Sequence, residues 1–214
     1  MIPFVTFEGL DGSGKSTHLR RVAGELAARG IAHRCTHEPG GTPLGESIRG
    51  LFKERRYAVS DGLVELMLVF ASRRQHLVEV IEPALARGEA VLCDRFTDST
   101  FAYQGAGRGV PAEAIAALDR LATGARRPDL TLLFDLPAAA ARARGATRRR
   151  RRGERIDRLD AEQLAFYERV REGFLELARA EPERIRVVDA SGPQAATAAA
   201  VRSALADLWP EVVL

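Results

Sequence analysis

The run Gly9-Leu10-Asp11-Gly12-Ser13-Gly14-Lys15-Ser16, with Thr17 after it, fits G-x-x-x-x-G-K-[ST] in full. That pattern is built to hold phosphate. Glycine lets the chain turn sharply, so that successive backbone N–H groups face one anion, and a helix starting there adds its positive end. Lys15, exposed in the loop, is placed to reach the β- and γ-phosphates of a nucleotide, and the Ser16 hydroxyl to ligate Mg²⁺. Only Lys15 and Lys53 are lysines, whereas the other 30 of 32 basic residues are arginine, so a lysine retained at position 15 singles out the site.

Two further groupings suit phosphate chemistry. Asp94-Arg95 follows the short apolar run Ala90–Cys93, and an arginine fork pairs with phosphate through two hydrogen bonds. The stretch Arg142 to Arg158 holds nine arginines in 17 residues and almost nothing apolar. It cannot bury itself and reads as a solvated or ligand-facing flap. It lacks the interleaved aromatics of a nucleic-acid surface, so no nucleic-acid partner is expected.

These groups need a frame. Ile2–Phe7, Ile31–Thr36, Ala90–Cys93, Leu130–Leu136 and Ile185–Val188 read as strands. Lys15–Ala28, Leu44–Phe52, Asp61–Ala86, Pro111–Ala122, Ala161–Ala180 and Pro193–Leu208 read as helices. The alternation predicts an α/β fold of three layers, a five-stranded parallel sheet with helices on both faces and an Arg-rich lid at about 142–158, in one domain spanning 1–214. Ligands then bind beyond the carboxyl ends of the strands, where the glycine loop and Asp94-Arg95 both lie. The charge of +3 and the apolar fraction of 46% are ordinary. No apolar run nears the roughly 20 residues that cross a bilayer, so no membrane association is expected. Cys35 and Cys93 lack metal-ligand or redox spacing, and no secretory signal is evident, which fits reduced thiols in the cytoplasm.

Phe4–Thr17, Glu38-Pro39-Gly40-Gly41-Thr42, Asp94-Arg95-Phe96, Ala102-Tyr103-Gln104-Gly105 and Asp157-Arg158-Leu159-Asp160 together resemble bacterial thymidylate kinases, P-loop enzymes that phosphorylate a nucleoside monophosphate. The E-P-G-G-T and A-Y-Q-G stretches are the specific part, and the resemblance runs over nearly the whole chain. It implies transfer of the γ-phosphoryl of ATP to dTMP with Mg²⁺, and a homodimer through the long helix at 61–86. By the same resemblance Arg95 holds the acceptor phosphate, with Arg49 near it, and Asp94 orients Mg²⁺ through water. Thr100 lies near the thymine edge, Tyr103 under the deoxyribose, and Asp11 faces the 3′-hydroxyl. Glu38, Pro39 and Gln104 join the same pocket. The family stacks a phenylalanine on thymine and reads its edge with an arginine four residues on. Counting from Phe70 gives Arg74, and counting back from Pro83 gives Arg73. At 100° per residue Arg74 lies about 40° from Phe70, inside the apolar stripe of Leu63, Leu66, Met67, Leu77, Val78 and Ile81, so Arg74 is preferred. Position 12 is glycine, which implies the group whose catalytic arginine sits in the lid. Arg152, before Gly153-Glu154, stands closest to the family's pattern. The rival readings are a kinase of another acceptor and a nucleotide-hydrolysing switch. No N-K-x-D motif for guanine supports the second.

Overall fold

The computed structural model describes residues 3–54, 61–153, 158–159, 161–206 and 208–209. Four short, largely apolar stretches and one polar stretch, His33–His37, become strands: β1 (Phe4–Glu8), β2 (His33–His37), β3 (Ala90–Asp94), β4 (Leu130–Asp135) and β5 (Ile185–Asp189). They form one parallel sheet in the order β2-β3-β1-β4-β5. Phe7 stands opposite both Asp94 and Leu132. The carboxyl ends of β1, β3 and β4 therefore open on one crevice.

Helices cover both faces: α1 (Lys15–Ala28), α2 (Pro43–Lys53), α3 (Gly62–His76), α4 (Glu82–Ala86), α5 (Thr97–Thr100), α6 (Ala112–Thr123), α7 (Ala138–Arg152), α8 (Leu164–Ala180) and α9 (Gln194–Leu205). Strand side chains alternate between faces. On one face Val5, Phe7 and Leu92 join Leu19, Val22 and Leu26 of α1. On the other, Phe4, Val91 and Cys93 pack with Leu77, Ile81 and Ala84.

Three departures from the sequence expectation have local causes. The long helix expected over 61–86 carries a π-helical turn at Leu77–Ile81, just ahead of Pro83, which has no N–H to give the preceding turn. Thr97–Gly107, rich in poor helix formers, is nevertheless α-helical and then π-helical. Close packing on α8 holds it there, with Gly107 facing Phe166 and Gly173 facing Ala106. The arginine stretch is a regular helix through Arg152 rather than a flap. Alanine and arginine are strong helix formers, and this helix buries only Ala138, Ala141 and Gly145. Residues 154–157 of the expected lid lie outside the described residues, as does Asp160 of the D-R-L-D stretch.

Candidate active site

β1 delivers the chain into the glycine loop. Gly12 has φ +92°, and a Cβ there would lie 2.2 Å from the Ala141 carbonyl oxygen. No arginine fits at that position, so a cation for the loop has to come from another element. Gly14 starts α1 without a side-chain cap, which leaves first-turn amides to an anion. Ser13 Oγ is buried without a hydrogen-bond partner. Lys15 differs from the expectation of an exposed loop residue. It is buried in the first turn of α1, its ammonium donating to the Leu10 carbonyl at 3.1 Å, with the Asp11 carboxylate at 3.8 Å. Burial, and then Arg95, lowers its pKa. The Leu10 side chain joins the core, so Leu10 contributes only backbone. The Ser16 hydroxyl donates to Asp94 Oδ2 at 2.5 Å. Gly12 to Thr17 line a cleft whose far wall is Arg144, Arg148 and Arg152 of α7. Small residues at Ala141 and Gly145 let that helix come close.

Arg95 is the centre of the crevice. Its backbone is left-handed, φ +76°, an uncommon state for arginine. Its N–H donates to Phe7 O at 3.0 Å and its carbonyl accepts from the Cys93 thiol at 3.0 Å. The guanidinium donates to Ser99 Oγ at 2.8 Å, to Asp11 Oδ1 at 3.0 Å and to the Tyr103 hydroxyl at 3.2 Å, and it lies over the Tyr103 ring. Burial alone would raise the Asp11 carboxyl, but Arg95, Lys15 and Arg148 hold it well below the usual range. Burial raises the Cys93 thiol and the Tyr103 phenol. Beneath the turn, Glu8 is fully buried. It accepts from the Phe96 N–H at 2.7 Å and from the Ser99 hydroxyl at 2.5 Å. Burial, and then Asp98, pushes its carboxyl up to about 7.

A second pocket opens beside Arg95. Glu38, Pro39, Arg49, Thr100, Tyr103 and Gln104 all line it. Arg49 donates to the Pro39 carbonyl at 2.9 Å. The choice between the two arginines is corrected. Arg73 lines this pocket and is 1% exposed, while Arg74 is exposed and bonds to the Ala122 carbonyl on the other side of α3. Arg74 follows Leu63 and Met67 at helical spacing, and those residues, like Val78, are exposed. The apolar stripe used for the choice was therefore partly a solvent-facing one. Arg73 donates to Glu38 Oε2 at 2.7 Å and to Thr100 Oγ1 at 2.9 Å, and its Nη1 is buried without a partner. Phe70 also departs from expectation. Its ring packs with Leu66, Val110 and Ile115, under the Arg73 guanidinium at 4.8 Å, and Val69 takes the pocket wall instead.

The two clefts meet in a third, lined by Asp11, Ser16, Asp94, Arg95, Arg49 and Arg148 among others. Arg148 thus borders both the loop cleft and the Arg95 centre, whereas Arg152 borders only the loop cleft. Sequence reasoning missed Arg148, which helical spacing from Ala141 (i+7) would have found. It also missed Glu8, His76 and Glu65. Glu65 is buried on α3 and ties Gln104 and Arg158 together, at 3.2 and 2.6 Å. Single buried acids and histidines carry no spacing signal of their own.

Ser16 and Asp94 offer two hard oxygen donors, of the kind Mg²⁺ takes alongside phosphate oxygens and water. Among the described residues no group of three or more histidines, cysteines or carboxylates gathers to make a protein-only metal cage. No helix among them is long and apolar enough to cross a membrane.

Comparison with known proteins agrees with this geometry. The thymidylate kinase family model matches residues 7–201. The thymidylate kinase of Pseudomonas syringae pv. syringae (strain B728a) is 50% identical over 98% of this chain and 96% of its own length. That of Geobacter sulfurreducens is 47% identical over 97% and 98%. The crystal structure of thymidylate kinase from Ehrlichia chaffeensis superposes with a TM-score of 0.69 at 36% identity, covering 87% of this chain and 91% of that one. With the family model spanning most of the sequence and relatives near half identity over nearly its full length, the chain belongs to the thymidylate kinase family.

Proposed function

We infer that this chain transfers the γ-phosphoryl group of ATP to dTMP, giving ADP and dTDP, with Asp11, Lys15, Asp94, Arg95 and the arginines of α7 around the transferred group. The observation that carries the acceptor assignment is Arg73. It is a buried guanidinium at the pocket wall with one donor, Nη1, left over. An unpartnered buried donor is costly, and a carbonyl oxygen on a base edge would satisfy it. Thymine and uracil offer such an oxygen where cytosine offers an amine.

In this reading the loop cleft takes ATP and the second pocket takes dTMP, its phosphate at Arg95 and Arg49. Tyr103, held by Arg95, lies against the sugar and leaves little room for a 2′-hydroxyl. The attacking oxygen belongs to a phosphate that is already ionised, so no general base is needed. Catalysis is positioning and charge neutralisation. Lys15 turns from Leu10 O to the incoming phosphates. Ser16 and, through water, Asp94 would hold Mg²⁺, which would supply charge neutralisation on the donor phosphates. Arg148, which borders both the loop cleft and the Arg95 centre, meets the charge on the transferring group, with Arg152 farther out on the donor side. Glycine at position 12 makes such a cation necessary.

Two further parts of the reading concern assembly and location. Leu63, Val64 and Met67 form an exposed apolar face on α3, which we assign to a homodimer interface. The chain is taken as one domain working in the cytoplasm, where the Cys93 thiol stays reduced.

The test is a coupled ADP-release assay across dTMP, dUMP, UMP, CMP, AMP, GMP and thymidine. Turnover should be fastest with dTMP. ATP consumption independent of any acceptor would overturn the assignment.

A further inference from the structure

His76 belongs to no part of the transfer reading, yet it is completely buried on the last turn of α3, one turn after Arg73. Its Nδ1 lies 2.9 Å from Glu38 Oε1, and its Nε2 lies 2.5 Å from Thr36 Oγ1. The other Glu38 oxygen, Oε2, accepts from Arg73 Nε at 2.7 Å. The loop is shaped around the ring, for a Cβ at Gly41 would come within 2.6 Å of the imidazole.

The directions of these bonds follow from chemistry. Burial would raise the Glu38 carboxyl, but Arg73 and His76 lower it, so it is ionised and only accepts. The imidazole must then donate from Nδ1, while Nε2 pairs with the Thr36 hydroxyl. A carboxylate with both oxygens free tends to take an arginine fork at two points. Here His76 occupies one oxygen, so Glu38 binds Arg73 through Nε alone. Nη2 is left to donate to Thr100 at 2.9 Å, and Nη1, on a residue that lines the pocket, is left without a partner.

We propose that His76 is a positioning residue for base recognition: by holding one oxygen of Glu38 it keeps the Nη edge of Arg73 free for the acceptor base. This rests on the reading of the second pocket as the dTMP site.

The test compares His76→Leu, which removes the donor, with His76→Asn, whose amide N stands where Nδ1 does. In His76→Leu the KM for dTMP should rise about tenfold, the scale of one hydrogen bond to a charged group. The kcat and the KM for ATP should move less, and the preference for dTMP over dCMP should narrow. His76→Asn should restore most of the KM. An unchanged dTMP KM in His76→Leu, or equal rises in both variants, would overturn the proposal. If His76→Leu does not fold, His76→Gln replaces it. Gln places its amide at the Nε2 position, so a KM near wild type for Asn and raised for Gln supports the role, and equal values reject it. Arg73→Lys separates the two levels of the inference. If it leaves the dTMP KM unchanged, the pocket assignment itself fails. If it raises the KM while His76→Leu does not, only the role of His76 fails.

Discussion

The pocket around Arg73 and Arg95 and the arginine helix α7 both present guanidinium groups to the same crevice, and they are built in opposite ways. Arg73 is 1% exposed and fixed by Glu38 and Thr100, and Arg95 is fixed by Asp11, Ser99 and Tyr103. The last turn of α7 is a run of mostly exposed arginines on a helix that touches the glycine loop through Ala141 and Gly145. A buried guanidinium can be aimed at one atom because every other direction is taken. An exposed row supplies charge without a fixed aim. The first construction suits choosing a base and holding a phosphate, the second suits meeting charge that forms only during transfer.

The strongest test of that contrast is Arg148→Ala. If α7 contributes through Arg148, which borders both the loop cleft and the Arg95 centre, kcat should fall roughly 10³-fold, the scale on which arginine fingers act, with dTMP affinity by calorimetry nearly unchanged. Arg150→Ala should cost far less. Equal losses would mean that charge density, not placement, is what α7 supplies. Neither change should lower Tm, since both side chains are largely solvated.

The buried side should behave in reverse. Arg73→Met removes one partner of a buried ion pair and leaves Glu38 uncompensated, a change that typically costs about 3–5 kcal/mol. We expect a clear loss of Tm together with a KM for dTMP raised about a hundredfold, measured below the new Tm, and a smaller change in kcat. A variant with wild-type Tm would show that the pocket is less tightly built than its bonds suggest. Tyr103→Ala should act more weakly, narrowing the preference for dUMP over UMP by about tenfold, as expected for the loss of a ring that fills space. An unaltered ratio of kcat/KM would remove Tyr103 from sugar selection.

The sequence exposed these two regions unequally, for physical reasons. The glycine loop was legible because cradling phosphate constrains residue type at nearly every position from Gly9 to Ser16. The inner strands β1, β3 and β4 were legible because sheet strands covered on both faces read as short apolar runs. Arg73 was not legible. An α-helical wheel places Arg74 with Leu63, Met67 and Val78, and nothing in the sequence says that this stripe faces solvent. Phe70 was misplaced for the same reason. It lies on the truly buried side with Leu66, behind the pocket rather than in it. The lid helix was hidden because its seven arginines give no apolar periodicity. Glu8 and His76 act through one carboxylate and one ring, and their roles depend on residues about 40 to 90 positions away in the chain.

The smallest expected effect lies under Arg95 and concerns stability against pH. Glu8 is buried and accepts from the Phe96 and Ser99 N–H groups and from the Ser99 hydroxyl, which in turn accepts from Arg95. Burial, and then Asp98, raises its pKa from 4.5 to about 7. Between those values the folded protein holds a proton that the unfolded chain has released. Glu8 therefore contributes stability that is fully present below pH 4.5 and is lost as pH rises through about 7. Other groups act differently. Asp11 and Glu38, whose pKa values are lowered, contribute stability that is lost at lower pH, and His18, lowered by burial and Arg21, makes stability rise through its own range. The measurement is thus a difference. Chemical denaturation from pH 4.5 to 8 should show wild type losing stability relative to Glu8→Gln, whose amide does not titrate. The absolute stability of Glu8→Gln should be lower at every pH, because its amide NH₂ faces groups that are themselves donors. If the two curves run parallel, Glu8 does not titrate in this window. The carboxylate would then be charged throughout, with the Phe96 and Ser99 N–H groups and the Ser99 hydroxyl donating to it across the whole range.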